Sequence, residues 1–376
     1  MCCGQGGASE NEDSSTPQIS DGHLVSPGER LCKHLHNSQK HHDALVDLAE
    51  IDWQPLTWSA MPGIVCMFIT PRALLGLATV AFPFTVSAAP PGIVPAKLTL
   101  ARAAASLDSK RQCVAFSWLP NDKGSPRGGI SVPVRINGQM LPLQLDTGAN
   151  VTSLYGAFPV KAGWAAKGSE TFRANAFTLA GAAIDRPEVY LNPDMEEDAS
   201  LRGTLGLSAL MGRIAVIDYP GKRFCLFDEA DLPALLQKAT FVRAMLRNAK
   251  FHVPIKSGAF MSDTIVFDTG SSEMPLHVDL AAWKRITGRA TTAAAPSVLQ
   301  GTAWGKPLTL AGAPAAAPVM LGDLPLGTVT VFTNPDAPES FADWPVPTDG
   351  VLGNAPLWDG IVILDLTARI RFGVIR

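Results

Sequence analysis

The apolar positions along the chain fall into three regimes. Residues 1–60 show no regular apolar period, residues 73–86 form an apolar run of 14, and the remainder consists of short apolar runs broken by Gly and Pro. Runs of that length and composition predict strands joined by tight turns. With 33 Gly and 30 Pro in 376 residues, many turns and few long helices are expected. Only two helical stretches stand out, near HVDLAAWKRITG (277–288) and DLPALLQKA (231–239), where Asp231 would cap and Pro233 would sit in the first turn. The fold class is mainly β.

The strand-like pattern occurs twice. ISVPVRINGQMLPLQLDTGANVTSL begins at Ile130 and FHVPIKSGAFMSDTIVFDTGSSEMPL begins at Phe251. Each has a V-P-V/I strand, a turn with Gly138 or Gly258, a second strand and then an acidic loop. Asn137-Gly138 is a favourable hairpin pair. A second pair of segments, from Gly203 and from Gly350, keeps four residues at equal offsets: Gly203, Gly206, Leu210 and Asp218 against Gly350, Gly353, Leu357 and Asp365. A duplicated unit explains this, with one copy over 125–228, a connection at 229–245 and the other copy over 246–376. The acidic loop and the Gly element lie 57 residues apart in the first copy and 82 in the second. The extra length includes GAPAAAPVMLGDLPLG and NPDAPESFADWPVPTD, which read as loops.

Composition narrows the function. A net charge of −3 from 31 basic and 34 acidic residues, with no basic run, leaves no electrostatic footprint for nucleic acid. The first sixty residues hold five of seven His and three of six Cys. They read as a disordered extension or a misassigned start, with metal binding by CKHLHNSQKHH as the alternative. Arg72 followed by the apolar run and Val86-Ser87-Ala88 fits a secretory signal over 61–88, and the run is short for a membrane span of about 20 residues. The chain from 89 onward is then expected to be exported, periplasmic or secreted, with no stable membrane insertion. Residues 89–124 would be a linker that includes a first strand. Their basic, Ala-rich part could act as a propeptide shielding an acidic cleft. Cys113 and Cys225 remain after cleavage, as a disulfide or as buried thiols.

The chemistry lies in the paired acidic loops. Asp146 and Asp268 each end an apolar strand and enter a turn whose glycine permits close backbone approach. Two carboxyls brought together cannot both ionise freely, so they share a proton and divide into acid and base. That pair suits attack of water on an amide and needs no covalent intermediate, cofactor or metal. Other chemistry finds little support. Ser271 and Ser272 lack a strand-to-helix elbow, only His252 and His277 remain beyond the signal region, and no phosphate-binding glycine loop is present. Asp218 and Asp365, beside strands and turns, read as structural, and Trp283 reads as helix packing.

The two D-T-G-[AS] loops at 146–149 and 268–271, each followed by a Leu-Gly element at Leu205-Gly206 and Leu352-Gly353, resemble the pepsin and retropepsin superfamily of aspartic proteases. The resemblance covers about residues 125–376 and is nearest to the small retroviral-type lobes of bacterial proteins. It implies duplicated β-barrel lobes with the active-site cleft between them, Asp146 and Asp268 as the catalytic dyad, and an extended peptide or unfolded protein as substrate. It further implies that Thr147 and Thr269 grip one another across the axis, that Gly148 and Gly270 present backbone N–H groups to the carboxyls, and that the Leu-Gly elements thread beneath the loops. With both lobes in one chain, a monomer suffices.

Two departures from the family pattern matter. Ser271 would donate to its Asp whereas Ala149 cannot, so the dyad is expected to work at less acidic pH than a pepsin with Ser in both loops, and an optimum at or below about pH 3 would contradict this. The segment expected as the flap tip, AAKGSETFRA (165–174), has no Tyr, and Tyr190 is expected to pack beside a sheet. That absence favours the alternative function, a catalytically weak or inactive module that binds peptides or serves assembly.

Overall fold

The two-residue period of the strands decides which side chains enter the core. In the computed structural model, the described residues are 99–108, 110–121, 124–196, 199–303 and 306–376. The extension at 1–60, its Cys/His stretch and the signal-like segment at 61–88 lie outside them. In chain order the first half supplies β1 (Cys113–Ala115), β2 (Ser117–Leu119), β3 (Gly129–Ile136), β4 (Gln139–Asp146), β5 (Ser153–Tyr155) and β6 (Thr171–Arg173). It continues with β7 (Phe177–Leu179), β8 (Ala182–Ile184), β9 (Glu188–Asn192), β10 (Gly203–Gly206), β11 (Ile214–Asp218) and β12 (Arg223–Phe227). The second half supplies β13 (Thr240–Arg243), β14 (Met245–Arg247), β15 (Lys250–Ser257), β16 (Phe260–Phe267), β17 (Leu276–Val278) and β18 (Ser297–Ala303). Then come β19 (Lys306–Pro314), β20 (Val319–Leu321), β21 (Leu324–Gly327), β22 (Thr330–Thr333), β23 (Gly350–Leu352), β24 (Ile361–Asp365) and β25 (Arg371–Ile375).

These strands form three sheets. One runs β6-β9-β5-β10-β4-β3-β7-β8, with β2 also on β3, and another runs β18-β19-β22-β17-β23-β16-β15-β20-β21, with β14 also on β15. Side by side, the second order repeats the first strand for strand and adds β18 at one end. The third sheet, β1-β12-β11-β24-β25-β13, is built alike from both ends. At its centre β11 and β24 run antiparallel with Val216 opposite Ile363.

Parity sets up the acidic loops. In β4, Leu141, Leu143 and Leu145 are buried, so Asp146 points to the opposite side. Asn137 and Gly138 at the β3–β4 turn both have positive φ, 46° and 87°, as a twisted two-residue hairpin requires. The run Ile265-Val266-Phe267 before Asp268 is continuous because both faces of β16 are covered. Ile265 and Phe267 enter the main core, while Val266 packs with Phe341 and Val351 on the other side.

Three expectations change. The stretch 231–239 is not one α-helix but two 3₁₀ turns, Glu229–Asp231 and Leu236–Lys238. Pro233 explains this: Leu232 before it is extended at φ −61°, ψ 124°, because proline excludes the preceding residue from helical backbone. The segment GAPAAAPVMLGDLPLG is not a loop but carries the end of β19 and all of β20 and β21, since Ala313, Val319 and Leu321 are fully buried and tertiary packing outweighs the turn-rich composition. The Ala-rich segment forms helix α1 (Leu100–Ala105), whose Ala103 packs with Leu107, Ile214, Val216 and Phe227 against the third sheet. A further helix, α2 (Phe158–Lys161), precedes α3 (Leu280–Thr287), which ends on Gly288 at φ 69°. In α3 Trp283 is fully buried and its Nε1 donates to the Val331 carbonyl.

Two features tie the third sheet together. Asp218 and Asp365 are fully buried structural anions: Arg223 donates to Asp218 at 2.7 and 2.9 Å, and Arg371 and Arg369 donate to Asp365 at 2.8 and 3.1 Å. Burial alone would push Asp365 up, but bonds from Thr367 and Arg371 and the charge of Arg369 hold it below the usual carboxylate range. Cys113 and Cys225, opposite one another on β1 and β12, form a disulfide across a separation of 112 residues. Closing so long a loop constrains the unfolded chain strongly, so Cys113→Ala with Cys225→Ala is expected to cost about 2–5 kcal/mol. Urea unfolding measures this, and an unchanged midpoint would contradict it. Among the described residues, no helix is long and apolar enough to cross a membrane.

Candidate active site

Asp146 and Asp268 meet at the ends of two equivalent strands. Beside each runs a parallel Leu-Gly strand: Leu205 pairs with Leu145 and Gly206 with Asp146, while Leu352 pairs with Phe267 and its carbonyl accepts from the Asp268 N–H at 2.9 Å. Gly353 follows directly. Each acidic turn is therefore held by a neighbouring strand through backbone bonds.

The two turns are joined to one another by a reciprocal set of four hydrogen bonds. The Thr147 N–H donates to Thr269 Oγ1 at 3.0 Å and the Thr269 N–H donates to Thr147 Oγ1 at 3.1 Å. Each hydroxyl then donates across the boundary, Thr147 to the Phe267 carbonyl and Thr269 to the Leu145 carbonyl, both at 2.8 Å. Both threonines are fully buried. The N–H and the hydroxyl of both threonines are satisfied, so the join is rigid.

This join presses each carboxyl onto the opposite glycine. A Cβ on Gly148 would lie 2.5–2.7 Å from the Asp268 carboxyl atoms, and one on Gly270 would lie 2.7–2.9 Å from those of Asp146. Only glycine leaves room. The local donors differ: Asp146 accepts the Ala149 N–H at 2.9 Å, whereas Asp268 accepts the Gly270 N–H at 2.8 Å and the Ser271 hydroxyl at 2.7 Å. Asp146 is pushed well above the usual carboxylate range, first by burial and then by the charge of Asp268 and a hydrogen bond with it. Two carboxyls so placed are able to share a proton and to activate and orient a water.

Three side chains absent from the sequence expectations bear on the pair. The Lys250 ammonium donates to the Gly148 carbonyl and lies 5.5 Å from the centre of the Trp344 ring. Its positive charge pulls the Asp146 carboxyl down, against the larger effects of burial and Asp268. Lys250→Met removes that pull, so the Asp146 carboxyl should titrate at higher pH than in the parent. Carbon-13 NMR of the labelled carboxyls reads this directly, and an unmoved titration would separate Lys250 from the pair. The other two are Tyr219 and Asn354, both buried: Tyr219 donates to Asn354 Oδ1 at 2.7 Å and Asn354 Nδ2 donates to the Thr269 carbonyl at 3.0 Å. A buried chain therefore runs from the turn after β11 to the second acidic loop. Its signal in the sequence is Asn354 itself, a polar residue where the other repeat has Leu207.

Other candidates stand apart from this chemistry. His252 and His277 are buried strand residues, and burial pushes His277 down to about 4. Tyr190 lies in β9 opposite Thr171 and Ser153. The segment 165–174 contributes only the short strand β6, paired with β9. Tyr155 is nearer the pair, with its hydroxyl 2.5 Å from Thr204 Oγ1 and its acidity weakened first by burial and also by the charge of Asp146.

No known family profile matches the chain, and no curated protein matches it by sequence. Its structure is distantly similar to the aspartic proteinase from Irpex lacteus, at 16% identity and a TM-score of 0.39 over 66% of this chain and 94% of that one. Basic 7S globulin from soybean is similar at 12% identity and a TM-score of 0.39, over 70% of this chain and 95% of that one.

Proposed function

We propose that the protein is an aspartic endopeptidase in which Asp146 and Asp268 act as one acid–base pair between duplicated half-barrel lobes. The observation that carries this reading is the mutual seating of the two carboxyls, each against the other loop's glycine and locked by the reciprocal threonine bonds. An assembly surface has no physical need for two carboxyls pressed together that repel one another unless a proton is shared. In hydrolysis, water held between the carboxyls loses a proton to the ionised member while the protonated member gives its proton to the amide carbonyl oxygen. Collapse of the tetrahedral intermediate breaks the C–N bond, and the nitrogen leaves with a proton from the pair. The substrate is an extended peptide held by main-chain hydrogen bonds in the cleft.

Both acidic loops come from one chain, which supports activity as a monomer. The disulfide supports an oxidising destination, periplasmic or secreted. The test is digestion of a mixed peptide library by the purified protein from pH 3 to pH 8, read by mass spectrometry. Cleavage is expected, with an optimum above about pH 3. No product at any pH, together with measurable peptide binding, would favour the non-catalytic module.

A further inference from the structure

The loop that carries Asp268 also borders a cavity of about 670 Å³, lined among others by Asn121, Glu273, Val298, Leu299, Gln300 and Trp358. Glu273 lies five residues after Asp268, beyond Ser271, whose hydroxyl holds that carboxyl. The cavity therefore shares a loop with Asp268. Glu273 Oε2 accepts from Asn121 Nδ2 at 2.6 Å, but its Oε1 is buried without a hydrogen-bond partner, and so is Trp358 Nε1. A buried carboxyl oxygen with no donor is costly, and a ligand that supplies the donor recovers that cost.

Among the described residues, the features of this site are not repeated beside Asp146. The position equivalent to Glu273 is Val151, and the wall formed by Val298, Leu299 and Gln300 belongs to β18, the one strand that the first sheet lacks. Among the described residues that line the cavity, Glu273 is the one with an ionisable side chain. The aromatic wall already accepts a cation, since the Arg127 guanidinium stands 4.9 Å from the centre of the Trp358 ring and 5.3 Å from that of Trp118.

Resting on the endopeptidase reading, we propose that this cavity is a specificity pocket for a basic substrate side chain, with Glu273 Oε1 accepting from the lysine ammonium or arginine guanidinium. A charge-assisted bond of this kind is roughly twice as strong as a neutral one. Because the pocket flanks only Asp268, the preference falls on one side of the scissile bond. β18 pairs with β19 along one edge and is the outermost strand of its sheet, so an extended peptide can run past it while alternate side chains reach the cavity.

The experiment uses matched peptides carrying Lys, Arg or norleucine at each position from four before to four after the cut. The ratio of kcat/KM for Lys over norleucine should reach about tenfold at one position, the scale of one charged hydrogen bond, and fall to near one in Glu273→Gln and Glu273→Leu. Because it compares peptides within one preparation, the ratio is insensitive to a misfolded fraction. In parallel, fluorescence polarisation with the Asp268→Asn protein measures binding of the same peptides with and without Glu273→Gln. Binding that favours Lys through Glu273 in a parent that cleaves nothing would retire the endopeptidase reading and keep the pocket. Cleavage with no basic preference at any position, or a preference unchanged by Glu273→Gln, would overturn the pocket alone. A protein that neither cleaves nor binds with such a preference would overturn both.

Discussion

Asp146→Asn and Asp268→Asn are each expected to reduce kcat/KM for a cleaved peptide by on the order of 10³-fold or more, with the loss falling on kcat. Asparagine keeps the shape and one accepting oxygen, so the Ala149 N–H can still bond at 146 and the Gly270 N–H at 268. What it removes is a titratable proton, and a pair with one titratable member cannot be base and acid in turn. Stability supplies a second reading. The folded Asp146 carboxyl is raised well above its ordinary value, so the folded state binds more protons than the unfolded state once pH exceeds the usual aspartate range. Stability contributed by that proton is therefore present at low pH and lost as pH climbs through the folded value. Asp146→Asn should flatten that decline while abolishing cleavage. Undiminished cleavage in either variant would refute a shared-proton mechanism.

What the sequence discloses is local, and what it withholds is pairing at a distance. Asp146 and Asp268 are legible because each breaks an apolar run at the strand end and each recurs with the same companions. The α3 helix is legible from Asp279 ahead of it to Gly288 behind it. By contrast, IAVID and IVILD read only as buried strands, since nothing local tells β11 that its neighbour is β24, far along the chain. The stretch after Gly312 misleads for a related reason: Pro and Ala signal a loop, while burial of Ala313, Val319 and Leu321 decides for strands. Lys250 and Glu273 are ordinary surface-type residues in the sequence, and only folding sets one against the Gly148 carbonyl and the other against Asn121. The acid pair is thus touched by the charge of Lys250, from the strand that opens the second repeat, which no motif marks.

Thr147→Val and Thr269→Val are expected to be the most disruptive conservative changes in the site. Valine matches threonine in shape, so packing is preserved and the loss is purely of hydrogen bonds. In Thr147→Val, the Thr269 N–H loses its acceptor and the Phe267 carbonyl loses its donor; in Thr269→Val, the Thr147 N–H and the Leu145 carbonyl are left in the same way. Each stranded group in a water-free position costs about 1–3 kcal/mol, so each substitution should destabilise by roughly 2–6 kcal/mol, a large part of a typical domain's stability. The two acidic turns would also lose their fixed separation, so kcat should fall even at temperatures where the variant remains folded. Thr→Ser at either position keeps the hydroxyl and should restore most of both properties, which separates the hydrogen bonds from the methyl contact. Because all four bonds bridge the same two turns, the double Val variant should cost less or more than the sum of the singles, and a double-mutant cycle measures that coupling. Val variants as stable and as active as the parent would mean that the two turns are aligned by the β11–β24 sheet alone, with the threonine bonds incidental to it.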